Sequence, residues 1–257
     1  MKYVFSTAGL SLLKKYARKG ALLAFDFDGT LAPIVNKPHL AAIPHATETL
    51  LRRLAALAPV AVLSGRPLAN LRALVPANIR GWAGNHGAEV FPPAGGAASS
   101  HAASRKRVRQ WTVQLRKKLH GIQGVIVEKK RFSVTVHYRA SHQRSSVRHL
   151  VLAAVAALSP GPRVLAGKCV VNLLVPELPN KGQALQSLKR TLKLRSAVYA
   201  GDDVNDEDVF ALPDPRICSI RVGRHKGSRA KLYLRRQSEI NRLLRLLVNL
   251  RAPKKSR

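Results

Sequence analysis

The sequence predicts an α/β protein built on a parallel sheet, interrupted by a smaller α+β segment. Three observations carry this. Short, wholly apolar runs alternate with amphipathic helical patterns over residues 1–91 and again over 176–257, as buried parallel strands and their crossover helices do. Two of these runs stop abruptly in acidic turns, Asp26-Phe27-Asp28-Gly29-Thr30 and Gly201-Asp202-Asp203. Between the two stretches, residues 92–175 have a different texture, with a small-residue linker, a basic helix and a strand of alternating polarity.

Residues 1–19 read as a basic amphipathic lead-in, helical around 10–17. Ala21-Leu22-Leu23-Ala24-Phe25 is a buried strand that delivers the first acidic turn at its C-terminal end. A helix over 47–58 turns Leu50, Leu51, Leu54 and Leu57 inward and Arg52 and Arg53 outward. A second buried strand, 60–63, is closed by Ser64-Gly65-Arg66-Pro67 and a short helix, and 81–89 contains a third strand and a turn. After a loop-forming stretch at 92–104 come a basic helix near 105–119, strands at 124–128 and 132–138, a helix at 145–158, a turn at 159–162 and a strand at 170–175. The alternation resumes with a helix at 181–192, strands at 197–200 and 217–222, and a closing helix at 238–250. No internal repeat is visible.

Composition narrows the function classes. At 46% hydrophobic residues over 257 positions, the chain can bury a sizeable core and is not a disordered segment. Cys169 and Cys218 form neither a disulfide framework nor a metal-like spacing and read as reduced core residues. No secretory leader and no run of about 18 apolar residues is present, so a cytoplasmic protein is expected. Charge is the anomaly: 45 Lys+Arg against 13 Asp+Glu gives a formal +32. Such a field calls for an anionic partner without naming it. The scarce acids are more informative. Seven of the 13 fall in two stretches, Asp26 and Asp28, then Asp202, Asp203, Asp206, Glu207 and Asp208. Like charges so close together cost stability unless a cation or a proton relieves them.

These residues suggest phosphoryl chemistry at the crevice where the C-terminal ends of parallel strands converge. Asp26 would attack a phosphoryl group to form an aspartyl-phosphate, dividing the reaction into two displacements. Asp28 would protonate the leaving oxygen and later activate water. Ser64 and Gly65 would bind phosphoryl oxygens through a hydroxyl and backbone N–H groups, and Lys181 would neutralise charge between nucleophile and phosphate. The 202–208 cluster would hold Mg²⁺, a hard ion suited to a few carboxylates plus water and phosphate oxygens. An EF-hand is excluded, because the spacing and the single Gly are wrong for one. Trp82 and Trp111 read as core, His86 as a turn residue or one just behind the site, and His137 as a strand residue facing solvent or the interface of the inserted segment.

The order Asp-Phe-Asp-Gly-Thr-Leu, Ser-Gly-Arg, Lys181, then Gly-Asp-Asp-x-x-Asp-Glu-Asp resembles the haloacid dehalogenase superfamily of phosphatases. Finer detail resembles its trehalose-6-phosphate phosphatase family: Gly84-Asn85-His86-Gly87-Ala88-Glu89, Glu128-Lys129-Lys130, His137-Tyr138-Arg139, Gly167-Lys168-x-Val170 and Asn180-Lys181-Gly182. The resemblance covers residues 20–220. It implies a Rossmann-like core (1–91 and 176–257) carrying an inserted cap (92–175) that sets specificity. It also implies Mg²⁺ held by Asp26, the Asp28 carbonyl and Asp202, with Asp206 as an auxiliary ligand. Catalysis would fall to Asp26, Asp28 and Lys181, and sugar contacts to Glu128 and Lys130 of the cap. At Asn172, a further sugar-contact position, and at Val175 the sequence departs from the family, which usually places a Glu and a basic residue there; Asn205 stands where a Thr is usual.

The expected activity is hydrolysis of trehalose 6-phosphate to trehalose and phosphate by a monomer acting on a small sugar phosphate. Two other readings stand beside it: a phosphatase for mannosyl-3-phosphoglycerate or sucrose phosphate, and a non-enzymatic nucleic-acid-binding protein. The bases are spread along the chain and aromatics are only 5%. Nucleic-acid binding is therefore expected only as a nonspecific effect of charge.

Overall fold

The structure is a computed structural model that describes residues 1–35, 38–75, 78–93, 102–167 and 169–253. The centre of the expected linker (94–101), Lys168 and the basic tail (254–257) lie outside the described residues. The chain divides into two compact units, Met1–Gly95 with Asn180–Arg257, and Gly96–Pro179.

The first unit opens with β1 (Lys2–Tyr3), α1 (Thr7–Tyr16), β2 (Ala21–Asp26), α2 (His45–Leu57), β3 (Val60–Leu63), α3 (Leu68–Leu74), β4 (Gly81–Gly84) and β5 (Glu89–Phe91). The second contains α4 (Ala102–Lys118), β6 (Ile126–Lys129), β7 (Ser133–His137), α5 (Arg144–Ala156), β8 (Arg163–Gly167) and β9 (Val170–Leu174). The chain then returns to the first unit with α6 (Lys181–Thr191), β10 (Ser196–Gly201), α7 (Glu207–Phe210), β11 (Ile217–Val222), β12 (Leu232–Leu234) and α8 (Ile240–Arg251).

The first unit's sheet runs β1-β12-β11-β10-β2-β3-β4-β5, parallel throughout except for the β4–β5 edge pair. Both faces are covered, so its central strands are apolar on both sides. Leu23 and Phe25 of β2 face a core shared with Leu51, Leu54, Leu243 and Leu247, while Leu22 and Ala24 face Leu185 and Leu188 of α6. α8 shows the helical period plainly: Ile240, Leu243, Leu244, Leu247, Val248 and Arg251 are buried. The Arg251 guanidinium donates to the Ala21 carbonyl at 3.2 Å.

The second unit is an antiparallel sheet, β6-β7-β9-β8, with α4 and α5 against one face. Val134 and Val136 of β7 pack with Trp111, Leu115 and Val151, and Trp82 and Trp111 are both core residues. Alternation puts Ser133, Thr135 and His137 on the other face.

β1, β5, β8, β12 and the four-residue α7 have no counterpart in the sequence reading. β1 and β12 are two and three residues long, too short to show a period. β8, Arg-Val-Leu-Ala-Gly, has no fully buried residue and so no clear pattern. α1 begins at Thr7, earlier than its apolar pattern suggests, because the Ser6 hydroxyl accepts from the Gly9 N–H at 3.1 Å and caps it.

Candidate active site

β2 is the point where the chain order of the sheet reverses, with β3 on one side and β10 on the other. In such sheets the crevice at the strand C-termini is the usual ligand site. Asp26 is the last residue of β2 and pairs in register with Leu63 of β3. On the other side Ala200 of β10 pairs with Phe25, so the turn at Asp202 leaves the sheet beside Asp26. Gly29 makes the approach possible. Its φ is +81°, and a Cβ there would collide with the Asp202 carboxylate.

Lys181 enters from a third direction, as the first residue of α6. A capping box fixes that helix start: the Asn180 side chain accepts from the Gln183 N–H at 2.9 Å, and Gln183 Oε1 accepts from the Asn180 N–H at 3.0 Å. The Lys181 ammonium is buried and donates to Asp26 Oδ1 at 2.6 Å and to Asp206 Oδ1 at 2.7 Å, with Asn205 Oδ1 at 3.4 Å. Asp206 Oδ1 also accepts from the Tyr199 hydroxyl at 2.6 Å, and Oδ2 accepts from the Asp203 N–H at 2.9 Å. Asp206 is thereby fully engaged in holding Lys181 and its own loop.

Burial pushes the Asp26 carboxyl well above the usual carboxylate range; Lys181 opposes this, and Asp206 and Asp202 add to it. Burial, with Asp206 beside it, pushes Asp202 up to about 7. Burial alone would lower the Lys181 pKa, but Asp206 and Asp26 hold it above its ordinary value, so it stays a cation. Three carboxylates thus surround one ammonium in a poorly solvated site.

This arrangement fits a divalent cation. One carboxylate oxygen from each of Asp26, Asp202 and Asp206 lies within 4.8 Å of the others. The all-oxygen donor set is hard, and two positive charges would offset the two carboxylates left over by Lys181. Asp206 adds its charge to the cluster while its oxygens accept from Lys181, Tyr199 and the Asp203 N–H.

The other predicted residues of this unit are close in sequence to the same strand ends. Ser64, directly after β3, is buried, and its Oγ accepts from the Arg66 N–H at 3.1 Å. Gly65 lies against the His86 ring, which a Cβ would strike. Asp28 is half-exposed and its carboxylate is gripped by Arg66, Nε to Oδ2 at 2.8 Å and Nη2 to Oδ1 at 2.7 Å. The same guanidinium lies 5.2 Å from the centre of the Phe27 ring.

A model of the trehalose-phosphatase family matches residues 24–235, a span containing every one of these groups. The chain belongs to the trehalose-phosphatase family. The fold is that of the haloacid dehalogenase superfamily with an added antiparallel unit. Relatives include the trehalose-phosphate phosphatase of Mycobacterium ulcerans, 36% identical over 219 residues, which cover 82% of this chain and 56% of that protein. An uncharacterized glycosyl hydrolase of Mycobacterium tuberculosis is 40% identical over 196 residues, 72% of this chain but 15% of that one. The chain therefore spans about half the length of the phosphatase relative and a small part of the other. Among solved structures, the trehalose-6-phosphate phosphatase of Aspergillus fumigatus is similar with a TM-score of 0.64 at 26% identity, covering 97% of this chain and 99% of that one.

In the second unit of this trehalose-phosphatase family member, two of the three expected sugar-contact residues share one cross-strand row. Glu128 pairs with Thr135, and Thr135 with Asn172, across β6, β7 and β9. The Thr135 hydroxyl donates to Asn172 Oδ1 at 2.8 Å, and Glu128 Oε2 is 2.8 Å from His137 Nε2, so His137 is the hydrogen-bond partner of Glu128. That bond, ahead of the cost of burial, holds the Glu128 pKa below the usual range. Lys130 follows β6 in the turn to β7, its N–H donating to the Ser133 carbonyl at 2.9 Å. Val175 belongs to the apolar core of the unit. Of the cysteines, Cys218 is buried, Cys169 is half-buried, and both are free thiols.

Sequence reasoning missed the site's second layer. Tyr199 carried no motif, although its place two residues before the end of an apolar strand put it within reach of Asp206. Asn205 was noted only as a departure, yet its Oδ1 faces Lys181 and its Nδ2 lies 3.0 Å from His86 Nδ1. Thr30 donates to Asp202 Oδ1 at 3.3 Å. For Arg66 the signal was present in Ser-Gly-Arg, but nothing in it named Asp28 as the partner.

Proposed function

We propose that this chain is a Mg²⁺-dependent phosphatase that hydrolyses trehalose 6-phosphate to trehalose and phosphate, in trehalose biosynthesis, through an aspartyl-phosphate on Asp26. The observation that carries the reading is the Lys181 ammonium bridging Asp26 and Asp206 at the C-terminal edge of β2, with Asp202 beside them. The substrate class rests on the family match and on the printed names of relatives that this chain covers in part.

In this reading one oxygen of Asp26 stays with Lys181 while the other attacks phosphorus, and the ester oxygen departs with a proton from Asp28. Asp28 then takes a proton from the water that hydrolyses the aspartyl-phosphate. For this the Asp28 carboxylate, held by Arg66 at 2.8 and 2.7 Å, must turn from the guanidinium toward the ester oxygen. Ser64 and Gly65 supply a hydroxyl and N–H groups to the phosphoryl oxygens. Asp26, the Asp28 carbonyl and Asp202 would hold Mg²⁺, which supplies neutralisation of phosphoryl charge. The second unit would act as the cap, with Glu128, Lys130 and Asn172 reading sugar hydroxyls. Asn172 can donate as well as accept, where a carboxylate only accepts.

The test is phosphate release from a panel of sugar phosphates that includes trehalose 6-phosphate, sucrose 6-phosphate and mannosyl-3-phosphoglycerate, at fixed Mg²⁺. Trehalose 6-phosphate should lead the panel, activity should vanish with EDTA, and Asp26→Asn should be inactive. Activity retained in Asp26→Asn defeats the mechanism, whereas preference for another ester defeats the substrate alone.

A further inference from the structure

The second unit, residues 96–179, contains 15 Lys+Arg and two acidic residues. Both acids have fixed cationic or imidazole partners. Glu128 lies against His137, and Glu177 accepts from Arg107 at 2.6 and 2.7 Å. Neither is placed to dilute the remaining charge.

α4 concentrates it. Its 17 residues include Arg105, Lys106, Arg107, Arg109, Arg116, Lys117 and Lys118 and no acid. Val108, Trp111, Thr112 and Leu115 are its buried stripe. At about 100° per residue, Lys106, Arg109, Arg116 and Lys117 fall within an arc of roughly 100° on the opposite side. All four are exposed. From Lys106 to Lys117 this ridge is about 16 Å long at ~1.5 Å per residue. Cations in the last turn complement the helix dipole and have a structural reason to be there. Those at 105–109 lie in the first two turns, where the dipole disfavours them, and only Arg107 has an acidic partner. Helix stability does not explain them.

We propose that the exposed ridge of α4 binds the phosphate backbone of double-stranded nucleic acid, without sequence preference. This is independent of the phosphatase reading. An anionic membrane is the weaker fit. A helix that lies on lipid needs an apolar face to insert, and the apolar stripe of α4 is already buried in its own unit. The unit's exposed large apolar residues, Val113, Ile126, Leu150 and Val164, lie on four different elements. A single strand also fits less well. Base stacking needs exposed rings, and the unit's three aromatics, Trp111, Phe132 and Tyr138, are each at most 3% exposed. What remains is a row of exposed cations along one helix face, the electrostatic footprint of backbone binding.

The experiment is fluorescence anisotropy of the full chain with a labelled mixed-sequence 20-base-pair DNA duplex over 50–300 mM NaCl. It compares the wild type, a ridge variant (Lys106→Gln, Arg109→Gln, Arg116→Gln, Lys117→Gln) and a control. The control (Lys14→Gln, Lys15→Gln, Arg18→Gln, Lys19→Gln) removes four exposed charges from the other unit. Gln keeps helix propensity close to that of Lys and Arg, and circular dichroism with unchanged phosphate release verifies folding. At about 0.9 per phosphate contact, losing four contacts should make the slope of log K against log salt shallower by about 3.6. Binding at 100 mM should weaken at least tenfold, while the control stays within threefold of wild type. The proposal is overturned if the wild type fails to bind at 50 mM, if ridge and control variants lose affinity equally, or if single strands or anionic vesicles bind more tightly than the duplex.

Discussion

Replacing Lys181 by Met tests the central feature of the site. The substitution keeps the length of the side chain and removes the ammonium that donates to Asp26 at 2.6 Å and to Asp206 at 2.7 Å. Lys181 and Asp206 are at most 1% exposed and Asp26 4%, so water cannot replace the lost partner. Breaking a buried ion pair from one side typically costs about 3–5 kcal/mol, because the stranded charge has no compensation. At about 2–4 °C per kcal/mol for a body of this size, the midpoint of thermal unfolding should fall by roughly 6–20 °C. Part of the loss should be recoverable in the double variant Lys181→Met, Asp206→Asn. An Asn at 206 can turn its oxygen to the Asp203 N–H and its amide to the Tyr199 oxygen, leaving one stranded carboxylate in place of two. Calorimetry in EDTA, repeated with Mg²⁺, makes the measurement, and added Mg²⁺ should stabilise the Met variant more than the wild type. Were Lys181→Met within 1 kcal/mol of wild type in EDTA, or the two substitutions merely additive, the bridge would not be the site's organising contact.

Three other perturbations follow from the same geometry. Burial would raise the Asp214 pKa, but hydrogen bonds from Lys189 at 2.6 Å and from Arg216 bring it down to about 2. That stabilisation is fully present above about pH 4 and is lost as pH falls through about 2. Lys189→Met should therefore cost about 1–2 kcal/mol at pH 6, with urea midpoints converging with wild type near pH 2. Gly29→Ala places a Cβ against the Asp202 carboxylate at a φ of +81°. It should destabilise by about 1–3 kcal/mol and weaken Mg²⁺ activation, read from the metal dependence of phosphate release. Arg66→Ala frees the Asp28 carboxylate from its two hydrogen bonds. Since Asp28 must leave Arg66 before it can act, kcat should not fall, and a fall of about tenfold or more would show that Arg66 positions Asp28 during the reaction.

The parts legible in the sequence were those with a local signature. Apolar runs of four to six residues revealed β2, β3, β10 and β11, because strands covered on both faces leave no polar position to blur the pattern. Asp26, Asp202 and Lys181 were legible because each stands at the end or start of such an element. Asp206 was legible as an acid but not as a hydrogen-bond hub, since its partners Lys181 and Tyr199 come from two other elements. The grip of Arg66 on Asp28 spans 38 positions, and no local period reports a contact of that kind. The same holds for Asn172, whose partner Thr135 is fixed only by the register of β7 with β9.

The acidic residues tie the charge anomaly to the structure. Seven of the 13 are in the two site stretches, and each of the other six has a specific partner. Glu48 pairs with Arg52, Glu128 with His137, Glu177 with Arg107 and Asp214 with Lys189. Glu89 accepts from the Leu68 N–H and the Asn85 amide, and Glu239 from the Tyr3 hydroxyl and the Arg235 N–H. Each of the six is thus tied to a local contact that fixes a turn, a helix or a strand row. The basic excess has no such internal counterpart, and its self-repulsion works against the compact state. A chain built this way relies on anions from outside to balance its surface. The phosphate ester of the proposed reaction and the nucleic-acid backbone proposed at α4 would be two such anions, met by a buried lysine in one case and by an exposed row of cations in the other.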